Sequence, residues 1–166
     1  YSYDELTSIF YKYGEEKYSS SIARAIIQYR ETKKIESTLE LAEIIKDNVP
    51  EKYRKKGHPA RKIFQAIRIE VNNELEVFEK ALYSALELIK PGGRICVITF
   101  HSLEDRMCKQ IFNEVSSVPK ELSKLPVIPE EYRPKFKVIA NIKPSDEEIE
   151  ENARSRSARL RVIERV

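Results

Sequence analysis

The feature that most constrains the fold is a long helical pattern that leads directly into an apolar strand. Apolar residues recur at steps of three or four, the period of an α-helix, at Phe64, Ile67, Val71, Leu75, Phe78, Leu82, Leu86 and Ile89. Because a single helix of that length is unusual in a globular protein, we expect a break near Asn72 and Asn73. A Pro-Gly-Gly turn follows, and residues 94–100 (RICVITF) predict a short strand buried on both faces.

The residues before position 49 predict a compact helical module. We expect a first helix capped by Ser2, a second from about residue 15 to 32, and a third capped by Ser37 or Thr38. Short amphipathic helices joined by short links pack on one another. The loop over residues 50–59 is basic and polar, and we interpret it as a boundary.

The residues after the RICVITF strand predict further helices and strands. We expect a helix with Ser102 as its N-cap, a strand over residues 136–142, a short acidic helix capped by Ser145, and a final strand over residues 159–166. Helices alternating with strands indicate an α/β architecture, with helices packed on a sheet.

Composition excludes several classes of protein. The 166 residues are 41% apolar and 34% charged, and no apolar run approaches the ~20 residues of a membrane span. The first residues do not resemble a signal peptide, so we expect a cytoplasmic protein. Cys96 and Cys108 form no CxxC pair, and we expect two buried, reduced thiols rather than a disulfide.

Positive charge is concentrated in two segments although the net charge is only +3. Residues 52–68 contain seven Lys or Arg and no acid, and several arginines follow an acidic block near the end of the chain. Such clusters fit either an anionic partner or an ordinary solvated surface. The candidate phosphate ligands in the two segments are Arg54, Lys55, Lys56, Arg61, Arg68, Arg154 and Arg156.

Polar residues at the end of the RICVITF strand could carry chemistry. His101, Glu104 and Asp105 fall at its carboxyl end, where open α/β sheets bind ligands. Such groups could position a substrate amine or move a proton. The alternative is that Ser102 caps the helix, with Asp105 three residues further on as in a capping box.

A second candidate lies on the long helix, where Gln65, Arg68 and Asn72 share one stripe. Amide and guanidinium groups in such a stripe can hold a base edge or a phosphate, although a polar stripe can also simply face solvent. No GxGxxG or P-loop pattern and no His/Cys metal cluster occurs, so we predict neither a nucleotide loop nor a metal site in these residues.

Three long motifs resemble one family. The runs HPARKIFQAIRIEVNNELE (58–76), LIKPGGRICVITFHSLEDR (88–106) and NARSRSARLRVIE (152–164) resemble the MraW family of small-subunit ribosomal RNA methyltransferases, the methyltransferase H family. The helical runs at residues 13–30 and 37–45 are similar to the inserted helical domain of that family. The resemblance covers nearly the whole chain.

The resemblance implies a fold and an activity. It implies the C-terminal part of a class I, Rossmann-like methyltransferase core (residues 57–166) plus an all-α insertion module that helps to recognise RNA (residues 1–56). The implied reaction methylates N4 of a cytidine in 16S ribosomal RNA with S-adenosylmethionine as cofactor. The cofactor site is expected upstream of residue 1, and no cofactor-binding residue is assigned here. On this view the rim of the active site includes His101, Glu104, Asp105, Gln65 and Asn72.

Two other interpretations remain open from the sequence. These residues could form a non-catalytic RNA-binding module, or an inactive proteolytic remnant of the enzyme. Half a parallel sheet would leave an open edge, so a homodimer formed through that edge or by domain swapping is also expected.

Overall fold

The computed structural model describes residues 1–55, 57–119, 121–122 and 126–166. The chain divides into two compact units, Tyr1–Glu74 and Leu75–Val166. The first unit is helical, and the second combines helices with a sheet. The mixed α/β composition predicted from the sequence is therefore confirmed.

The first unit contains five helices among its described residues, and their bounds follow from local signals. Ser2 and Glu5 form a complete capping box at the start of the first helix, and Ser37 accepts a hydrogen bond from the Glu40 backbone N–H at the start of the third. Both predicted caps are confirmed. The helices are α1 (Tyr3–Lys12), α2 (Ser19–Thr32), α3 (Thr38–Asp47), α4 (Glu51–Arg54) and α5 (Ala60–Asn72).

The core of the first unit is built from the apolar faces of α1, α2, α3 and α5. Phe10, Ile22, Ile45 and Ile63 are completely buried in it. Burying each such side chain contributes about 1.5–3 kcal/mol. Helix α5 packs against α1 and α3, so it completes the helical unit. The packing of α5 does not show whether it belongs to the predicted insertion module or to the predicted methyltransferase core. The predicted division at residue 56 therefore stays a prediction.

Helix α2 begins four residues later than the sequence pattern indicated. Glu15 adopts a left-handed backbone conformation with φ of 46°, which ends any helix that starts there. The side chain of Glu16 then turns inward and is fully buried, and its Oε1 accepts a hydrogen bond from the Tyr18 backbone N–H at 3.0 Å. Glu16 was expected in the first turn of α2, but it lies before the helix with its carboxylate buried.

The predicted break in the long helix is confirmed at Asn73. Helix α5 ends at Asn72, Asn73 has a φ of 51°, and α6 (Glu74–Leu88) follows at once. Asparagine tolerates the left-handed region better than most residues because its short side chain can hydrogen-bond locally. The other elements of the second unit are β1 (Arg94–Thr99), α7 (Ser102–Ser116), a 3-10 turn (Glu130–Tyr132), β2 (Phe136–Ile142), α8 (Asp146–Glu151), a second 3-10 turn (Ala153–Ser157) and β3 (Arg159–Arg165).

The three described strands of the second unit form one antiparallel sheet in the order β1-β3-β2, so the expectation of a parallel sheet is wrong for these strands. The last strand therefore lies in the middle, with Val97 opposite Arg161 on one side and Val138 opposite Ile163 on the other. Helix α7 covers one face, where Phe112 and the apolar side chains around it form the core.

The expectation that the RICVITF strand is buried on both faces is wrong. Val97 and Thr99 are buried, whereas Cys96 is exposed and Ile98 is 60% exposed. Alternate side chains of a strand point to opposite faces, and the apolar core that α7 forms with the sheet lies on the face of Val97. For the same reason the expectation of two buried thiols is wrong for Cys96, while Cys108 is buried; both are free.

None of the described helices combines the length and apolar character that crossing a bilayer requires.

Candidate functional site

The junction between β1 and α7 places His101 at the carboxyl end of the strand. His101 has an extended backbone, with φ of −141° and ψ of 163°, and its Nδ1 accepts a hydrogen bond from the Glu104 backbone N–H at 3.4 Å. His101 is therefore the N-cap of α7, and Ser102 is its first helical residue. The prediction that Ser102 is the N-cap was wrong by one residue, because the imidazole supplies the acceptor expected from the hydroxyl.

The second ring nitrogen of His101, Nε2, does not cap the helix. Nε2 is buried, lies 3.3 Å from Glu104 Oε1, and makes no hydrogen bond within the part of the chain that the structure describes. Because Nδ1 accepts a hydrogen bond, the neutral ring carries its proton on Nε2. The other carboxylate oxygen of Glu104 accepts the Phe100 backbone N–H at 3.0 Å, which fixes the carboxylate beside the ring.

Asp105 is the residue after Glu104 on α7, and its carboxylate forms an ion pair with an arginine. Its two oxygens accept hydrogen bonds from Arg161 Nε and Nη2 at 2.7 and 2.9 Å. Arg161 belongs to the central strand β3 and is only 8% exposed. Hydrogen bonding from this guanidinium holds the pKa of Asp105 below its usual value. The pair ties the first turn of α7 to β3 and so fixes the geometry around His101.

The polar stripe predicted on α5 converges on Glu74. Arg68 donates to both carboxylate oxygens of Glu74 at 2.7 and 2.9 Å, and the Asn72 side-chain amide donates to Oε1 at 3.2 Å. Gln65 is half-buried and lines a cavity of about 460 Å³ together with Arg68. Sequence reasoning missed Glu74, because its position beside the stripe depends on the turn at Asn73.

The candidate phosphate ligands of the first unit differ in how they are engaged. Arg54 Nε donates to the Val49 carbonyl at 3.1 Å, and Lys55 Nζ lies 3.4 Å from an exposed oxygen of Glu51. Arg61 is exposed, and its side chain has no hydrogen bond or ion pair with any described residue. Lys56 lies outside the described residues.

Arg154 and Arg156 lie in the second 3-10 turn of the other unit. Both are exposed, whereas Ser155 between them is buried and its Oγ donates to the Glu148 carbonyl at 3.4 Å. The small residue anchors the turn while its neighbours face solvent. Their side chains form no ion pair with the acidic helix α8 within the described ranges, so their charge is available to an anion.

The glycines do not form a cradle for a nucleotide cofactor such as S-adenosylmethionine. Gly92 and Gly93 precede β1, at the opposite end from His101, while Gly14 and Gly57 lie between helices. A nucleotide cradle needs close backbone approach in a turn at the carboxyl end of a strand. Strand β1 is followed instead by Phe100 and His101, so these residues do not fit the cofactor.

Comparison with protein families agrees with the motifs and with the mixed fold. The profile of the MraW methylase family matches residues 1–166. This match confirms the resemblance seen in the three long motifs. The chain therefore belongs to the MraW methylase family, whose members are methyltransferases.

Proposed function

We propose that the protein to which these residues belong transfers a methyl group from S-adenosylmethionine to N4 of a cytidine in small-subunit ribosomal RNA. Membership of a methylase family supports the reaction class. The resemblance of the motifs at residues 58–76 and 88–106 supports the choice of substrate. The observation that carries the proposal is the pairing of His101 Nε2 with Glu104 Oε1 at the end of β1.

This pair matches the edge of a cytosine that carries the amine. A cytosine presents the N4 amine as a hydrogen-bond donor beside the N3 acceptor. Once the buried His101 Nε2 is exposed to the base, its proton can be donated to N3, and Glu104 Oε1 can accept a hydrogen from N4. The two protein atoms are 3.3 Å apart, so one base edge can meet both. Uracil presents the reverse pattern at that edge and would leave both groups unmatched.

The chemistry needs such positioning because the N4 lone pair is delocalised into the ring and is a poor nucleophile. Holding the amine in line with the methyl group converts a bimolecular reaction into an effectively unimolecular one. A carboxylate close to the N4 hydrogens also stabilises the positive charge that develops on nitrogen. We propose that the base is turned out of its stack to reach His101.

The remaining assignments divide between positioning and RNA binding. Asp105 acts through Arg161 as a positioning residue. Gln65 and Asn72 stay predicted substrate contacts, and Arg61, Arg154 and Arg156 are the proposed phosphate ligands. Their availability to anions supports this choice over Arg68, which already binds Glu74. Binding of this kind weakens steeply as salt rises.

The methyl donor is proposed to be held by residues other than these, since no glycine-rich turn follows β1. We propose that the protein acts in the cytoplasm, where its ribosomal substrate is found.

Variants at His101 test the proposal in the intact methyltransferase. His101→Asn keeps an N-cap oxygen and loses Nε2, whereas His101→Ala loses both. We expect both variants to lower methylation of ribosomal RNA by about 10²-fold. His101→Asn should retain the melting temperature of the unaltered protein. If His101→Asn methylates at the unaltered rate, His101 is only a cap and the assignment of this site fails.

A further inference from the structure

The helical unit contains a pair of adjoining cavities, and Arg61 and Gln65, two of the proposed RNA contacts, are among the residues that line them. The first, of about 320 Å³, is lined by Tyr53, His58, Arg61 and Lys62 among others. The second, of about 460 Å³, shares His58 and Arg61 and extends to Phe64 and Gln65. We call these two cavities, with the six residues named, the α5 groove. Their volumes fall in the range of ordinary small-ligand sites.

The aromatic wall of the α5 groove is held rigidly from behind. The Tyr53 hydroxyl donates to Glu16 Oε2 at 2.6 Å, and Glu16 is completely buried. The Tyr18 ring meets the Tyr53 ring edge to face, with centroids 5.0 Å apart, and the Lys17 ammonium lies about 5 Å from both centroids. A buried carboxylate thus fixes the ring before any ligand arrives.

The side chains that line the α5 groove carry positive charge, and of these Arg68 is paired with Glu74. Arg61 has no partner among the described residues, and Lys62 Nζ is held by the backbone carbonyl of Glu15 at 3.1 Å rather than by a carboxylate. His58 Nδ1 accepts the Ala60 backbone N–H at 3.3 Å, so its neutral ring carries a proton on Nε2. None of the described residues that line the two cavities is acidic.

We propose that the α5 groove binds a short single-stranded segment of RNA, with a phosphate at Arg61 and bases against the rings of Tyr53 and Phe64. Cationic grooves with interleaved aromatic rings bind single strands in this way, because phosphates meet the cations and bases stack on the rings. The half-buried amide of Gln65 can hydrogen-bond a base edge. The proposal rests on the proposed function and deepens it, because it places Arg61 and Gln65 in one groove with the rings of Tyr53 and Phe64.

Fluorescence anisotropy with this chain and a labelled 12-nucleotide single-stranded RNA tests the proposal. Arg61→Gln should weaken binding about tenfold at low salt, and should make the slope of log K against log salt shallower by about 0.7, the value of one phosphate contact. The matched control is Lys34→Gln, which removes an exposed cation beyond the opposite end of α2 from Tyr18. This control should change neither quantity.

An abasic strand of equal length separates base stacking from charge. The unaltered chain should bind the abasic strand at least about fivefold more weakly than the base-bearing strand. Phe64→Ala and Tyr53→Leu, checked for folding by circular dichroism, should reduce that difference.

The outcomes distinguish this proposal from the proposed function. Equal affinities for Arg61→Gln and Lys34→Gln would overturn the α5 groove while leaving methyl transfer untouched, since transfer is tested separately at His101. Equal binding of abasic and base-bearing strands, with displacement of both by a polyglutamate peptide, would show a site for acidic peptides and also overturn it.

Discussion

His101 shows how one side chain can serve both the fold and the chemistry. Its Nδ1 caps α7, and this explains why a hydrogen-bond acceptor is needed at the residue between β1 and α7. Its Nε2 is buried beside Glu104 and does not take part in the cap. An ordinary capping residue such as Ser or Asn would satisfy the helix equally well. The imidazole therefore supplies something that the cap alone does not require, and this is why we assign it to the substrate.

Asp105 should matter for stability as well as for activity. Asp105→Asn leaves the nearly buried Arg161 without its carboxylate, and we expect a loss of about 2–3 kcal/mol in the free energy of unfolding at pH 7. Urea titration measures the loss. The matched control is Glu76→Gln, which removes the exposed ion pair with Lys80 and should cause no measurable change.

The contribution of Asp105 should also depend on pH. Its pKa is depressed in the folded protein, so the stabilisation is fully present above the unfolded value of ~3.9 and is lost as the pH falls through the lower folded value. The difference in stability between the unaltered chain and Asp105→Asn should therefore shrink in strong acid. A difference that is the same at pH 7 and below the folded pKa would contradict the role of the carboxylate.

The two cysteines should react at very different rates. Cys96 is exposed on the uncovered face of β1, whereas burial raises the pKa of the Cys108 thiol to about 11. At pH 8 we expect iodoacetamide to modify Cys96 first and Cys108 only after unfolding. Peptide mass spectrometry after timed quenching identifies the modified residue, and early labelling of Cys108 would contradict the packing of α7.

At the scale of elements, local signals predicted much of the secondary structure. The apolar period of α5 and α6, the caps Ser2 and Ser37, and the break at Asn73 could all be identified from neighbours in the sequence. The late start of α2 could not, because it depends on a hydrogen bond between Glu16 and Tyr53, which lie 37 residues apart. Such long-range contacts override a local helical pattern.

The left-handed residue between α5 and α6 offers a direct test of this element. Asn73→Gly should be tolerated, because glycine adopts a positive φ without steric cost. Asn73→Ala should destabilise the chain by about 1 kcal/mol or more, since its Cβ is unfavourable at this φ. Urea unfolding of the two variants gives the comparison, and equal stabilities would show that the turn at Asn73 imposes no backbone constraint.

At the scale of the whole molecule, the sequence predicted which elements form but not how they pair. Nothing in residues 159–165 indicates that β3 would lie between β1 and β2, because strand order depends on contacts between distant segments. The Asp105–Arg161 pair of the site could not be predicted for the same reason, because its two residues lie 56 positions apart in the sequence. His101 and Glu104 could be predicted because they follow β1 directly.

The sheet also explains why burial of β1 was overestimated. Ile98 and Phe100 are more than half exposed on the face opposite α7. An apolar run predicts that a strand can be buried on both faces, but burial requires a covering element, and the core that α7 forms lies on the other face. Among the described strands, β1 pairs with β3 alone. A homodimer formed through this edge stays a prediction.

The proposal that S-adenosylmethionine is held by residues other than these leads to a prediction for this chain by itself. Because no glycine-rich turn follows β1, isothermal titration calorimetry with S-adenosylmethionine should give no saturable heat. The RNA titration described above serves as the positive control for a folded, active preparation. Saturable binding in the micromolar range would overturn the view that these residues lack the cofactor site.

We propose that the methyltransferase modifies the exocyclic amine of a cytidine. The most direct test incubates small-subunit ribosomal RNA lacking this modification with the intact methyltransferase and S-adenosylmethionine, then digests the RNA to nucleosides for mass spectrometry. We predict a single new product, N4-methylcytidine, which forms about 10²-fold more slowly when His101→Asn replaces the unaltered enzyme. A methyl group found instead on carbon 5, on the ribose, or on another base would contradict the account.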